Sequence, residues 1–465
     1  MGILNFYSWI KSSYADAFNQ EWLNMYDNVH IDLNYLLHMC SYNCKNQHEI
    51  ISRLDSILET IVSTALPKHT VNLYADGPSP LAKLILQRKR RLSISKSDKD
   101  LSVSSLIFTP GTMFMMELEK KLDYTIKKIG TLYNVKIHCY IDSTDEAELK
   151  IKNNVMNMQI KDSKQTHIIV TSDADVVVMM STLKYFEKVF ILFKSKEFIV
   201  LNLSKLLELH TEKYGLSKTY NTDFAFVNML LGNDYIPKIQ FASFDKIWEI
   251  YRSNVHLYPS GLCDSNLTIN RDFLCDIILG IVTRTHKNLL KKSKIRDVGD
   301  KLYPMYMDGL LWCMNVYMTG KCNRYNYMYE YQTSPNPFIL YLYVSKTTTS
   351  LQNSIIKSDP IDKSLYGILL LPKSAKKLVD KKYHDFIDNN YKLYDEECCK
   401  HCIKFHNDLS VLNKKLLLLN EGESGKDIKG EISLISREMV AHKKSHTVLV
   451  LDDIESIVEK FNTII

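Results

Sequence analysis

The chain has 465 residues, 45% of them hydrophobic and 11% aromatic, and its 59 basic and 53 acidic side chains leave a net charge of +6. That is enough chain for two or three cores or one large elaborated domain. The composition excludes collagen-like, fibrous and disordered classes, and the slight positive balance leans toward polyanions without identifying one.

No run of about 18 apolar residues occurs, so no membrane span is expected. The start MGILNFYSWIKSSYADAF lacks the layout of a secretory signal. The ten scattered cysteines then read as reduced thiols of a cytoplasmic protein. Gly2 invites myristoylation, but Phe6 stands where Ser or Thr is needed.

In chain order, NVHIDLN reads as a short strand ending at an acid, followed by a helix through Tyr35, Leu36, Leu37 and His38. An amphipathic helix over about Gln47 to Ala65 comes next, then the strand HTVNLYADG. A helix after Pro80, capped by Ser79, carries the run LAKLILQRKRR. In TPGTMFMMELEKKLDYTIKKI, Thr109 reads as a cap with Pro110 at the first helical position. VKIHCYID and THIIVTSDAD are further strands ending in acids, and FAFVNMLLGNDYIP is a helix ending in a turn. Alternating strands and helices predict an α/β class with a mostly parallel sheet covered on both faces. Beyond about Phe241 the pattern is mainly helical and tyrosine-rich. From about Glu396 it reads as an accessory tail with a surface loop at NEGESGKDIKGE.

Residues at the carboxyl ends of parallel strands converge on one crevice. Here they are Asp32, Asp76, Glu146, Glu148, Asp173 and Asp175, joined by Asp234 of GNDYIP. Singly, Asp32 or Asp173 reads equally as a helix cap, and Asp234 as a turn residue. Together, so many carboxylates repel one another unless cations neutralise them. Hard divalent ions with oxygen ligands fit, Mg²⁺ best. A pair of such ions stabilises both the attacking and the leaving oxygen of a phosphoryl displacement, so the cluster predicts a metal-dependent phosphodiesterase. On the basic helix, Lys83, Gln87, Arg90 and Arg91 fall on one face. That face is either a solvated helix end or an anion site.

The motifs MGILNFYSWI, IDLNYLLH, ADGPSPLAKLILQRKRR, FTPGTMFM, DEAELKI, SDADVVVMM and LLGNDYIP, in this order, resemble the Xrn-type 5′→3′ exoribonucleases. MDGLLWCMNVYMTGKC and DPIDKSLYGILLLPKSAKKLV resemble that family's second conserved region, so the similarity spans roughly residues 1–395. The resemblance implies a PIN/flap-nuclease-like core over 1–240, a mainly helical second region over 241–395 and a tail over 396–465. It implies two Mg²⁺ ions, with Mn²⁺ as a substitute, on Asp32, Asp76, Glu146, Glu148, Asp173, Asp175 and Asp234. It also implies a 5′-monophosphate pocket on Lys83, Gln87, Arg90 and Arg91, and a first base sandwiched between His38 and Trp312. Trp312 reads equally as a core aromatic on an apolar helix.

The implied activity is degradation of 5′-monophosphorylated single-stranded RNA, releasing nucleoside 5′-monophosphates; a monomer is expected, and single-stranded DNA stays open as a further substrate. The chain departs from the family after TGKC, where NRYNYMYEYQTSP replaces a Trp-rich stretch, and a compact member without the large C-terminal modules of the long cytoplasmic members is expected. Flap-type DNA endonucleases form the alternative, but their Gly-x-Gly hairpin after the Gly-x-Asp motif has no counterpart between Gly232 and Gly261. A non-catalytic RNA-binding scaffold is disfavoured by the full set of acids. Cys398, Cys399, His401, Cys402 and His406 lack a second ligand pair for zinc, and GESGKD lacks the glycine spacing of a phosphate loop.

Overall fold

The computed structural model describes residues 2–19, 25–97, 101–141, 144–194, 198–218, 220–264, 266–282, 302–329, 335–347, 351, 356–390, 400–418, 426–445 and 454–463. Its centre is a seven-stranded sheet built from β1 (Phe18–Asn19), β2 (Asn28–Asp32), β3 (Thr70–Tyr74), β4 (Lys136–Tyr140), β5 (His167–Val170), β6 (Val189–Lys194) and β7 (Phe198–Asn202). The spatial order is β1-β7-β6-β5-β2-β3-β4. Strands β4, β3, β2, β5 and β6 run parallel, whereas β7 is antiparallel to β6 and β1 to β7. The α/β class and the four strands expected from the sequence are present.

The chain leaves β2 toward β3 and β4, then returns to set β5 on the other side of β2. The switch point therefore lies between β2 and β5, where ligands bind in open parallel sheets. Every residue of β2 is buried, as expected for a strand covered on both faces.

One face packs against Leu33–Cys40, Gln47–Ala65 and Leu118–Tyr133, through Leu36, Leu54, Leu58, Leu118 and Leu122. The other carries the core cluster that runs from Ile3 to Leu351. It joins the helices Phe6–Ser13, Asp175–Ser181, Phe244–Asn254 and Leu302–Thr319, so the helical region after Phe241 packs directly on the sheet layer.

Several local expectations are corrected. The hairpin β6–β7 and the edge strand β1 go beyond the expected strands. Thr109 does not start a helix: it follows a 3₁₀ turn, and the cap is Thr112, whose hydroxyl accepts from Met115 N at 3.4 Å. The basic helix does begin after Pro80, as Leu81–Ser97, but the Ser79 hydroxyl is engaged by the Tyr366 phenol. Lys426–Glu431 of the expected loop belong to the helix Lys426–Ser445. The tail's last helix, Ile454–Asn462, buries Ile457 and Phe461 in a third core cluster with Leu81, Leu84, Tyr383 and Phe386. Asp142, Cys398, Cys399 and residues 330–334 lie outside the described residues. Among the described residues no helix is long and apolar enough to cross a membrane.

Candidate active site

Asp32 ends β2 and caps the helix Leu33–Cys40: its Oδ1 accepts from Tyr35 N at 3.1 Å. Its Oδ2 accepts from the Thr171 hydroxyl at 3.2 Å, which ties the end of β2 to the residue after β5 across the switch point. Asn34 bolts on the next strand end, because its Oδ1 accepts from Asp76 N at 2.9 Å. Asp76 Oδ1 in turn accepts from Ala147 N at 3.1 Å, in the first turn of Ala147–Lys161, which also carries Glu148. Asp173 Oδ1 accepts from Asp175 N at 2.9 Å and so starts the helix Asp175–Ser181. Asp32 thus caps its helix as well as facing the cluster, whereas Asp173 lies one residue before the N-cap of its helix, Ala174.

Asp234 stands on a turn that needs Gly232. That residue has φ +80°, and a Cβ there would lie 2.4 Å from Lys238 N. Asn233 Oδ1 closes the turn by accepting from Tyr235 N and Ile236 N at 2.9 and 3.1 Å.

Burial and mutual repulsion leave this cluster short of positive charge. Desolvation first, then Asp76, push Asp32 up to about 7. Desolvation and Asp173 do the same to Asp175. Glu146 and Glu148 are also raised by desolvation, with Lys83 as the main opposing influence. Lys83 Nζ lies 2.6 Å from Glu146 and 3.4 Å from Asp234, and it is buried. The sequence placed Lys83 with the phosphate-binding face. The structure plants it among the acids, where Glu146 keeps its ammonium charged against the cost of desolvation. Arg90 Nη2 reaches the other oxygen of Asp234 at 3.4 Å.

The acids and the basic helix line one cavity of about 490 Å³, with Asp32, Asp76, Glu146, Glu148, Asp173 and Asp234 beside Lys83, Gln87, Arg90, Arg91 and His38. Gln87 is buried, with its Oε1 accepting from the Tyr366 phenol at 3.3 Å, and Arg91 Nε donates to the Thr109 hydroxyl at 3.2 Å. On the opposite side of this helix Leu81 and Leu84 are core residues, and buried Arg88 donates to Leu369 O. His38 also lines the cavity, its ring edge-on to Phe108 at 5.2 Å. Desolvation by the surrounding wall, then Arg91, lower its pKa, so the ring is neutral at pH 7.

Trp312 is not in this cavity. It is 1% exposed, stacked on Tyr327 at 4.3 Å and edge-on to Tyr235 at 5.2 Å, so the core alternative describes its place. Sequence reasoning also missed Tyr235, Tyr317, Asn34, Thr109 and Thr171. GNDY and IDLN signal Tyr235 and Asn34 by adjacency, but no local signal marks Tyr317.

A second cavity of about 20 Å³ adjoins the first and is ringed by Glu146, Glu148, Asp173, Asp175 and Asp234 with Lys83, Tyr235 and Tyr317. It has room for one water-sized particle among hard oxygen donors. Among the described residues no three acids close on one point as a finished cation site. The fit to divalent cations is therefore one of donor chemistry, charge deficit and space.

Residues 1–196 match the family model described as the XRN 5'-3' exonuclease N-terminus. The human 5'-3' exoribonuclease 1 is 25% identical over 300 residues, which cover 51% of this chain and 17% of that protein. The Schizosaccharomyces pombe 5'-3' exoribonuclease 1 is 25% identical over 299 residues, covering 51% and 22%. The 5'-3' exoribonuclease 2 of the same organism is 23% identical over 357 residues, covering 58% and 36%. The chain thus spans well under half the length of these relatives. Among solved structures, the catalytic core of Rad2 in complex with DNA substrate aligns over 69% of this chain and 87% of that one, at 15% identity and TM-score 0.38. On the family match and these relatives, residues 1–196 are similar to the N-terminal segment of the Xrn-type 5'-3' exonucleases.

Proposed function

We propose that the chain is a 5′→3′ exoribonuclease that hydrolyses 5′-monophosphorylated single-stranded RNA with the aid of two divalent cations and releases nucleoside 5′-monophosphates. The observation that carries this reading is one cavity in which the carboxylates meet Gln87, Arg90 and Arg91 of the basic helix, with Lys83 set among the acids. Arg90 and Arg91 offer planar donor forks to a terminal phosphate, and Gln87 adds a neutral amide. His38, neutral and in the cavity's lining, would offer an aromatic ring to the first base.

Asp32, Asp76, Glu146, Glu148, Asp173, Asp175 and Asp234 would hold the cations. Bound Mg²⁺ or Mn²⁺ would supply charge stabilisation for the attacking and leaving oxygens. Asp234 has a second role, because it pairs with Arg90 while sharing Lys83 with Glu146.

The test is digestion of matched RNA and DNA strands carrying 5′-phosphate or 5′-hydroxyl, with and without Mg²⁺, by wild type and by Arg90→Ala with Arg91→Ala. Wild type should cleave phosphorylated RNA fastest and only with the metal. The double variant should lose most of the monophosphate-over-hydroxyl rate ratio while losing less on hydroxyl ends. An unchanged ratio would reduce the basic face to a general electrostatic attraction, whose loss would show only as a shallower salt dependence.

A further inference from the structure

The acids deepest in the cluster are held from behind by phenols. Asp175 is buried, and both of its oxygens have donors: Ile3 N reaches Oδ1 at 2.7 Å and the Tyr317 hydroxyl reaches Oδ2 at 2.7 Å. Backbone crowds the first contact, since Gly2 has φ +49° and a Cβ there would lie 2.0 Å from Asp175 Oδ1. Glu146 is held in the same manner, with Lys83 Nζ on Oε1 and the Tyr235 hydroxyl on Oε2, both at 2.6 Å.

One amide links the two tyrosines, through the backbone of Tyr235 and the phenol of Tyr317. Asn233 Oδ1 takes Tyr235 N at 2.9 Å, and Asn233 Nδ2 lies 3.4 Å from the Tyr317 hydroxyl oxygen and 2.9 Å from Cys313 Sγ. Behind them stands Trp312, packed edge-on against Tyr235 and backed by Tyr327. Tyr317, Cys313 and Trp312 all lie on the helix Leu302–Thr319, outside the segment matched by the family model.

Satisfying a buried phenol does not by itself account for this arrangement. On the same helix the Tyr306 hydroxyl is buried with no hydrogen-bond partner among the described residues. Phenol burial is thus tolerated there without a carboxylate.

We infer that Tyr317 and Tyr235 are positioning residues, whose hydroxyls aim Asp175 and Glu146 at the cation space and make its assembly depend on docking of the helix Leu302–Thr319. The inference rests on the metal-dependent reading above. A carboxylate held by an outer donor keeps its remaining lone pairs directed at a cation, and loss of such an outer partner commonly costs 10–100-fold in metal affinity. Trp312 then acts at one remove, by fixing the Tyr235 ring.

The test is Mn²⁺ titration of the full chain, read as free-ion signal by electron paramagnetic resonance, for wild type, Tyr317→Phe, Tyr235→Phe and Tyr306→Phe. All four are compared well below their melting temperatures. Each of the first two variants keeps its ring and should weaken Mn²⁺ binding about tenfold or more. Tyr306→Phe should leave it within about twofold, and the Mg²⁺ needed for half-maximal cleavage should move in parallel. Unchanged affinity in both Tyr317→Phe and Tyr235→Phe overturns the inference, as does equal weakening in all three variants, which would mean general loosening of the helix. Because the two phenols are tested separately, misfolding of one variant leaves the other decisive. A wild-type chain that binds no Mn²⁺ would sink the metal reading and this inference with it, an outcome distinct from wild-type binding that the phenol variants leave intact.

Discussion

The two ends of the parallel sheet carry the same residue types under opposite conditions. At the amino end Asp27 receives Thr166 N at 2.8 Å and the Thr166 hydroxyl at 3.0 Å on one oxygen, with Lys68 at 3.5 Å from the other. Burial alone would raise its pKa, but the Thr166 donors and Lys68 outweigh it and hold Asp27 below the usual carboxylate range. The side chains around it are paired as well: Asn28 with Gln165 and Thr70, and Asn72 with Thr70. At the carboxyl end, Asp32, Asp175, Glu146 and Glu148 are all pushed upward, first by burial and then by neighbouring carboxylates that the local donors and Lys83 do not offset. The first arrangement stabilises the fold. The second holds negative charge in excess, and a cation from solution would complete it.

Three substitutions probe this contrast, beginning with the largest expected effect. Asp173→Ala should lower Mg²⁺-dependent cleavage a thousandfold or more, on the order of 4 kcal/mol of barrier. Its melting temperature in chelator should change little, because the hydrogen bond from Asp175 N is lost while a charge that repels Asp32, Glu148 and Asp175 is removed. Near-normal turnover by the folded variant would remove Asp173 from the metal set.

Asp27→Ala should behave in the opposite way. It leaves Thr166 N without its acceptor and should cost about 1–3 kcal/mol in denaturant unfolding, while cleavage per folded molecule stays near wild type. Loss of activity with unchanged stability would erase the distinction between the two ends.

The third test is pH. Burial pushes His167, next to this amino-terminal network, down to about 4, with Asp27 only partly opposing it. A histidine with a depressed folded pKa binds its proton first in the unfolded chain. Its stabilising contribution is therefore complete above about 6.5 and is lost as pH falls toward 4. Thermal scans of the metal-free protein should show that loss, and His167→Gln should flatten it by roughly 1–2 kcal/mol between pH 6.5 and 4.5. An identical profile in the variant would assign the acid limb to other groups.

Much of the carboxyl end is legible in the sequence because its signals are local. A short strand ending in an acid, as in NVHID, announces both the strand and the place of its last side chain. Helical spacing is enough to put Lys83, Gln87, Arg90 and Arg91 on one face. The same locality misleads at Thr109, where a good cap residue before a proline belongs to a 3₁₀ turn and instead accepts from Arg91.

By itself, then, the sequence determined the α/β class, the acids at the strand ends and the composition of the basic face, because each depends on neighbours a few residues apart. Tertiary structure alone decided that Lys83 bridges Glu146 and Asp234, that Trp312 lies in the core, and that phenols stand behind the acids. The helix Leu302–Thr319 is buried nearly all round, so no apolar stripe distinguishes a residue facing the site from one facing the core. Tyr317 meets Asp175 across 142 residues of chain and Tyr235 meets Glu146 across 89. Such partners are chosen by how helices pack on the sheet, and the pattern along either segment carries no record of that choice.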